Sequence, residues 1–272
     1  TSANNQGLFQ IIPGATQEIL RARKGNIVTG GILRSFLGEA IDTSSDVTYR
    51  ASLSSAPSNK NQILVHAATR VWTKGDLTDS FDPSLQPGTR LVRLLKFWPI
   101  DNNLVMFLAR MAGPGVSARN DTALWLWDNN NGQGATTLQM LFREGDDAAA
   151  CDGAKVRTIQ RVAVEPFGNY AILASLTGRS SANQAMFTGN AAIGNETTHR
   201  ALRLPVPILR KGTSYQAATG QTTQIRSMSL TETTDRSGAG TKGGPQVVSF
   251  FGGTILEILF NNRTRVLASG QP

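Results

Sequence analysis

The sequence holds a single cysteine, Cys151, in 272 residues, which excludes an internal disulfide and leaves the compartment open. It holds two histidines, His66 and His199, and no Gly-x-Ser-x-Gly elbow, so a Ser-His-Asp triad is not expected. No pair of His or Cys has metal-ligand spacing, so no zinc or copper site is expected either. No apolar run approaches the ~18 residues of a membrane-spanning helix. Thr1 to Gly7 are polar, without the charged-then-apolar order of a signal peptide, so the expectation is either no export or a leader already removed. No dozen residues repeat apolar side chains at helical spacing. Thr16 to Lys24 comes nearest, and its place in the pattern below argues for strand. Basic blocks of five or six are also missing, which argues against a nucleic-acid tail.

What is present is a core-forming composition with a positive bias. The chain is 40% hydrophobic, with 27 Lys and Arg against 19 Asp and Glu, a net charge of +8. That bias suits an anionic partner and bears on association rather than fold. Short runs rich in Val, Ile, Leu, Phe and Trp alternate with Gly, Asn, Asp, Ser and Pro clusters, the signal for strands. The reading is all-β.

The strands repeat. A strand ends in a Gly-centred tripeptide five times: Lys24-Gly25-Asn26, Lys74-Gly75-Asp76, Glu144-Gly145-Asp146, Lys211-Gly212-Thr213 and Ser269-Gly270-Gln271. After the first four comes an apolar-Arg-x-apolar signature: Leu33-Arg34-Ser35-Phe36, Val92-Arg93-Leu94-Leu95, Val156-Arg157-Thr158-Ile159 and Ile225-Arg226-Ser227-Met228. A further strand follows each signature, at Val47 to Leu53, Leu104 to Met111, Tyr170 to Leu176 and Gln246 to Phe251. Another precedes each tripeptide, at Leu8 to Ile12, Gln62 to His66, Ala123 to Trp127, Ala185 to Thr188 and Ile255 to Phe260. Four short strands in every ~60 residues mark a β-propeller blade. Ser55 to Asn61, Gly113 to Asp121, Asn129 to Ala135 and Thr231 to Pro245 are the polar connections.

The run Ile41-Asp42-Thr43-Ser44-Ser45-Asp46-Val47-Thr48-Tyr49-Arg50-Ala51-Ser52-Leu53 resembles the unit of bacterial exported tandem-repeat proteins that often carry a C-terminal sorting anchor. That unit reads apolar-Asn-x-x-Gly-x-Val-Ala-Phe-x-Ala-x-Leu, then Gly-Ile-Trp, then Ala-Arg-Glu-Gly-Asp. Val164 to Leu176, Ala123-Leu124-Trp125 and Phe142-Arg143-Glu144-Gly145-Asp146 are similar to its parts. The strand order also resembles TolB-type propellers, where the strand before the Asp/Asn-Gly turn is innermost. Both resemblances imply a propeller and neither supplies a catalytic role. The order they imply puts Arg34, Arg93, Arg157 and Arg226 on innermost strands and the Gly tripeptides at the ends of outermost ones. Residues 1–272 then form one domain: an outer half-blade at 8–24, and blades at 27–76, 89–146, 155–213 and 224–270. Four and a half blades leave a truncated ring of five or more, a four-bladed ring with an extra hairpin, or completion by another molecule. Unpaired edge strands invite the last.

Four arginines around one mouth of a channel would offer paired donors to carboxylate, sulfate or phosphate. The competing reading has each arginine fixing blade spacing through a carboxylate of a neighbouring blade. Asp42, Asp101 and Glu165 lie eight residues beyond Arg34, Arg93 and Arg157, about 26 Å along an extended strand, so any such pair must cross between blades. Those carboxylates, with Glu232, could serve a propeller glycosidase, but turn-forming bonds suit their positions better. Trp72, Trp98, Trp125 and Trp127 could form a sugar-stacking platform, but Trp72 and Trp125 sit at strand positions that should pack between blades, and Trp98, beside Pro99, is the best exposed candidate. Asp128 to Gly132 hints at a calcium loop but lacks the later bidentate acid, so an Asn-Gly turn is preferred. No cofactor is expected: the Gly tripeptides precede no helix that could cradle phosphate.

These readings converge on a non-enzymatic extracellular binding or scaffold propeller, its partner a polysaccharide, another polyanion or a protein. A subunit completed by strand exchange in an oligomer, or a glycan-active hydrolase, are the alternatives.

Overall fold

The computed structural model describes residues 5–11, 14, 16–78, 81–101, 103–129, 137–193, 200–216, 220, 222–230, 248–249 and 252–270. Among the described residues, strands β1 (Gly7–Gln10) and β2 (Ile19–Arg23) pair only with each other. The first sheet follows, with β3 (Ile27–Val28), β4 (Gly31–Ile41), β5 (Val47–Ser54), β6 (Gln62–His66) and β7 (Thr69–Thr73). The second holds β8 (Arg90–Ile100), β9 (Leu104–Ala112), β10 (Thr122–Asp128) and β11 (Thr137–Arg143). The third holds β12 (Val156–Val164), β13 (Asn169–Leu176), β14 (Gln184–Asn190) and β15 (Val206–Arg210). The fourth holds β16 (Ser214–Gln216), β17 (Thr222–Ser229), β18 (Thr254–Phe260) and β19 (Arg265–Gly270). Every pairing is antiparallel, and neighbours in sequence are neighbours in the sheet. The helical structure among the described residues is one 3-10 turn, Arg200–Arg203.

The sheets stack face to face in chain order. Successive side chains of a strand point to opposite faces, so a strand between two neighbouring sheets needs apolar residues on both. β10 meets that need: Trp125 and Trp127 pack toward the first sheet with Leu64 and Trp72, while Leu124 and Leu126 pack toward the third with Ile172 and Phe187. The same logic joins β2 to the first sheet through Ala22, and the third to the fourth through Ala171, Leu173 and Met186 against Ile225 and Ile258. A succession of antiparallel meanders packed in this way is the propeller architecture that the repeats implied.

Glycine turns carry the chain between sheets. The amide of Gly25 donates to Leu33 at 2.8 Å, Gly75 to Leu91 at 2.6 Å, Gly145 to Val156 at 2.7 Å and Gly212 to Ile225 at 2.8 Å. All four glycines have φ between 86° and 92°, a conformation that a side chain strains. The first long strand of each sheet (β4, β8, β12 and β17) is then bulged. In β4 the register skips between Leu33 and Ser35 and again between Phe36 and Gly38; in β8, between Leu91 and Arg93 and between Leu94 and Lys96. β12 skips twice as well and β17 once. Bulges raise strand twist and leave backbone groups without ladder partners. Side chains supply some of these: Glu144 Oε1 accepts from the amide of Ile159 at 2.9 Å, and Gln184 Oε1 from that of Met228 at 2.8 Å.

The fourth sheet departs from the expected strand order. β18, placed third in the repeat, lies directly beside β17, and the turn that closes it pairs the Phe260 amide with the Thr264 carbonyl. The sheet reaches four strands through β16, a three-residue polar segment with too little pattern to read in advance. The strand expected at Gln246 to Phe251 lies mostly outside the described residues.

Candidate functional site

Bulge geometry decides where the repeated arginines sit. Arg34 is the skipped residue of the first bulge in β4, between the pairs Leu33–Leu53 and Ser35–Ser52. Arg157 holds the same place in β12 and Arg226 in β17. Arg93 does not. The skipped residue of β8 is Val92, and Arg93 pairs with Arg110. The signature in this sheet is one residue out of step because Leu91, 1% exposed, fills the apolar place that Leu33 fills in the first, while Val92 is only half-buried. Burial of one face sets register.

All four arginines are exposed, and among the described residues none of the four makes an ion pair. The spacing role through a neighbouring carboxylate is therefore not what these residues show. Arg93 lies close enough to Arg50 of β5 that its charge, together with the larger effect of burial, holds the Arg50 guanidinium below its ordinary pKa. Arg50 donates through Nη2 to Gln62 Oε1 at 2.8 Å. The first long strands of the four sheets, β4, β8, β12 and β17, carry Arg34, Arg90, Arg93, Lys96, Arg157, Arg161 and Arg226 against one carboxylate, Glu39.

The carboxylates at the hairpin turns serve the backbone. Asp42 Oδ1 accepts from the Asp46 amide at 2.7 Å, and Glu165 Oε1 from the Phe167 amide at 3.0 Å. Asp101 accepts from the amide and the hydroxyl of Thr43, and its own amide donates to Pro166 at 2.8 Å. The contacts of Asp101 tie the β4–β5, β8–β9 and β12–β13 turns in series. Glu232 lies outside the described residues.

Trp98 is not exposed. At 1% it belongs to the core with Trp72, Trp125 and Trp127, because β8 continues past it: Trp98 pairs with Met106, and Pro99 with Val105. Pro99 is tolerated because β8 is an edge strand, with no further ladder bond to lose. Asp128 is held by Arg203, with Nη1 and Oδ2 2.8 Å apart and both side chains buried. That pair, 75 residues apart in sequence, carries no local signal. Asn130 to Gly132 and His199 lie outside the described residues.

A further cluster has no counterpart in the sequence reading. The pairing of Thr48 with His66 brings the end of β6 against the β4–β5 turn. One ligand atom each from Asp42, Asp46 and His66 then falls within 4.8 Å of the others. His66 is fully buried, its Nδ1 is 2.7 Å from Thr48 Oγ1, and its ring meets Trp127 edge-on. Burial pushes the imidazole pKa down, opposed by Asp46. Asp42 is pushed up to about 6, chiefly by burial and further by the charges of Asp46 and Asp101, against the bond from the Asp46 amide.

Fold and surface together define an all-β protein of the propeller type, with a basic set of first strands. Over residues 1–243 the chain matches the family described as "Family of unknown function (DUF7453)", and it belongs to that family. Among curated proteins none matches it. Among solved structures it is similar to a GH93 alpha-L-arabinofuranosidase of Fusarium graminearum, seen in complex with arabinobiose. The identity is 10%, over 86% of this chain and 79% of that one, with a TM-score of 0.25, a likeness too slight to carry any argument about function.

Proposed function

We propose that this protein is a non-enzymatic binding or scaffold propeller that works outside the cytoplasm and engages an anionic ligand or partner, such as an acidic polysaccharide. The observation that carries this reading is the charge of the first strands, seven basic residues against one carboxylate, with Arg34, Arg93, Arg157 and Arg226 exposed. The guanidinium groups of Arg34, Arg93, Arg157 and Arg226, which make no ion pair among the described residues, suit planar, two-point recognition of sulfate, phosphate or carboxylate. The absence of catalysis is supported by the use of Asp42, Asp101 and Glu165 in turn bonds. The extracellular setting rests on the resemblance to exported tandem repeats. Among the described residues no helix is long and apolar enough to cross a membrane. The test replaces Arg34 and Arg157 with Ala and titrates a sulfated polysaccharide: affinity falls about tenfold or more while the thermal midpoint stays near wild type. Unchanged affinity, or loss of folding, contradicts the proposal.

A second reading, a subunit completed by another molecule, is favoured by the two ends of the stack. β1 and β2 leave Phe9 and Leu20 about half exposed, and β18 and β19 leave Ile255 and Leu267 in solvent. Light scattering over a concentration series tests it, and a strict monomer at high concentration ends it.

A further inference from the structure

We propose that Asp42, Asp46 and His66 bind one divalent ion of the zinc class, and that this ion pins the β4–β5 turn onto the end of β6.

The donor set is an imidazole with two carboxylates, which suits Zn2+ and its transition-metal neighbours better than Ca2+ or Mg2+, whose shells are built from oxygen. The three ligand atoms lie within 4.8 Å of one another. Neighbouring ligands around an ion with bonds of about 2.0–2.2 Å lie roughly 3.3–3.6 Å apart in a tetrahedral shell. Modest side-chain rotation closes that difference.

The sharper observation is His66 itself. Its side chain is 1% exposed, and its Nε2 is buried without a hydrogen-bond partner among the described residues. Asp42 Oδ2 is 3.9 Å away, beyond hydrogen-bond reach. Thr48 Oγ1 engages the other ring nitrogen, Nδ1, at 2.7 Å. With Nδ1–H donating to that hydroxyl, Nε2 presents a lone pair toward the Asp42 carboxylate in a buried setting, with Asp46 in the same cluster. Such an arrangement is unfavourable until a cation stands between them. A ring nitrogen fixed by an outer hydrogen bond while its partner faces the ion is the usual support for a metal-bound histidine. Asp42 is prepared in the same sense, since the Asp46 amide holds its Oδ1 at 2.7 Å and leaves Oδ2 toward His66. Asp46, alone of the three, also lines a cleft of about 800 Å³ between β2 and the first sheet, which brings solvent to that edge of the cluster.

The site is separate from the exposed arginines, so it stands or falls independently of the anion-binding reading. The test uses the full chain stripped of metal by chelation and dialysis, then titrated with Zn2+ by calorimetry. The expected result is one ion per chain, with affinity at least tenfold weaker in His66→Gln and in Asp46→Asn and retained in His199→Gln. Absence of stoichiometric binding, or binding that survives both of the first two changes, overturns the proposal. Should either variant fail to fold, the wild-type chain decides through the long-range 1H–15N spectrum of its two histidines. Zn2+ should shift the Nε2 resonance of His66, assigned by its persistence in His199→Gln. If neither histidine moves, or only His199 does, the proposal fails.

Discussion

The amide of Gly145 donates to the carbonyl of Val156 at 2.7 Å, and the amide of Val156 returns a bond of 2.9 Å to the carbonyl of Asp146. This two-way clasp joins the exit of the second sheet to the entry of the third, and Gly75 with Leu91 and Gly212 with Ile225 repeat it. Because the clasp forms next to the bulge, it also sets which residue of the following strand faces the core.

The glycines of these clasps should resist substitution for steric as well as torsional reasons. A Cβ on Gly212 would meet the Ser181 carbonyl oxygen at 2.5 Å, and one on Gly145 would meet Asn120 Cβ at 2.7 Å. Gly153 also has a positive φ but nothing within 4 Å. Gly212→Ala and Gly145→Ala are expected to cost more than the ~1–2 kcal/mol of a strained backbone alone, and Gly153→Ala to cost no more than that. Urea unfolding of the three variants makes the comparison, and equal losses would deny the clasp its role.

Trp98→Ala tests the corrected placement of that residue. As a fully buried side chain of the core shared by the second and third sheets, its loss should cost about 3–5 kcal/mol in chemical denaturation. A loss below ~1 kcal/mol would return Trp98 to the surface.

Glu144 has a pH signature. Burial raises its carboxyl pKa above 4.5, with the amide of Ile159 opposing. The folded chain therefore holds this proton more tightly than the unfolded one. Its contribution to stability is greatest below the ordinary pKa and declines as pH rises through the folded value. Glu144→Gln keeps an oxygen for the Ile159 amide and removes the charge. The variant should lose less stability than wild type between pH 4 and 8, read from thermal midpoints along that range. An identical pH profile in the two proteins would contradict this.

Much of the fold was legible because strand signals are local. The runs at Gln62–His66 and Leu104–Met111 stand between turn residues, and the glycine tripeptides need only three letters. What escaped depends on contacts across strands or sheets. The offset of Arg93 follows from the burial of Leu91 rather than Val92, which a matched motif does not reveal. Trp98-Pro99 looked like a turn, and only the pairing with Met106 and Val105 shows the strand running on. β16 and the rearranged fourth sheet offer no strong pattern over three polar residues and an expanded connection. The Asp42, Asp46 and His66 cluster was invisible because a histidine twenty residues from an acidic turn has no ligand spacing. Register alone, through Thr48 opposite His66, brings it there.

The most direct test of the account separates placed charge from total charge. Binding of a sulfated polysaccharide is measured for wild type, for Arg34→Ala with Arg157→Ala, and for a control pair of loop substitutions, Arg119→Ala with Arg179→Ala, each over a series of salt concentrations. Both variants lose the same net charge. The account predicts that only the first-strand pair weakens binding tenfold or more and flattens its salt dependence. Equal losses in the two double variants would mean that the protein's positive bias binds polyanions without a site, and the proposed function would be wrong.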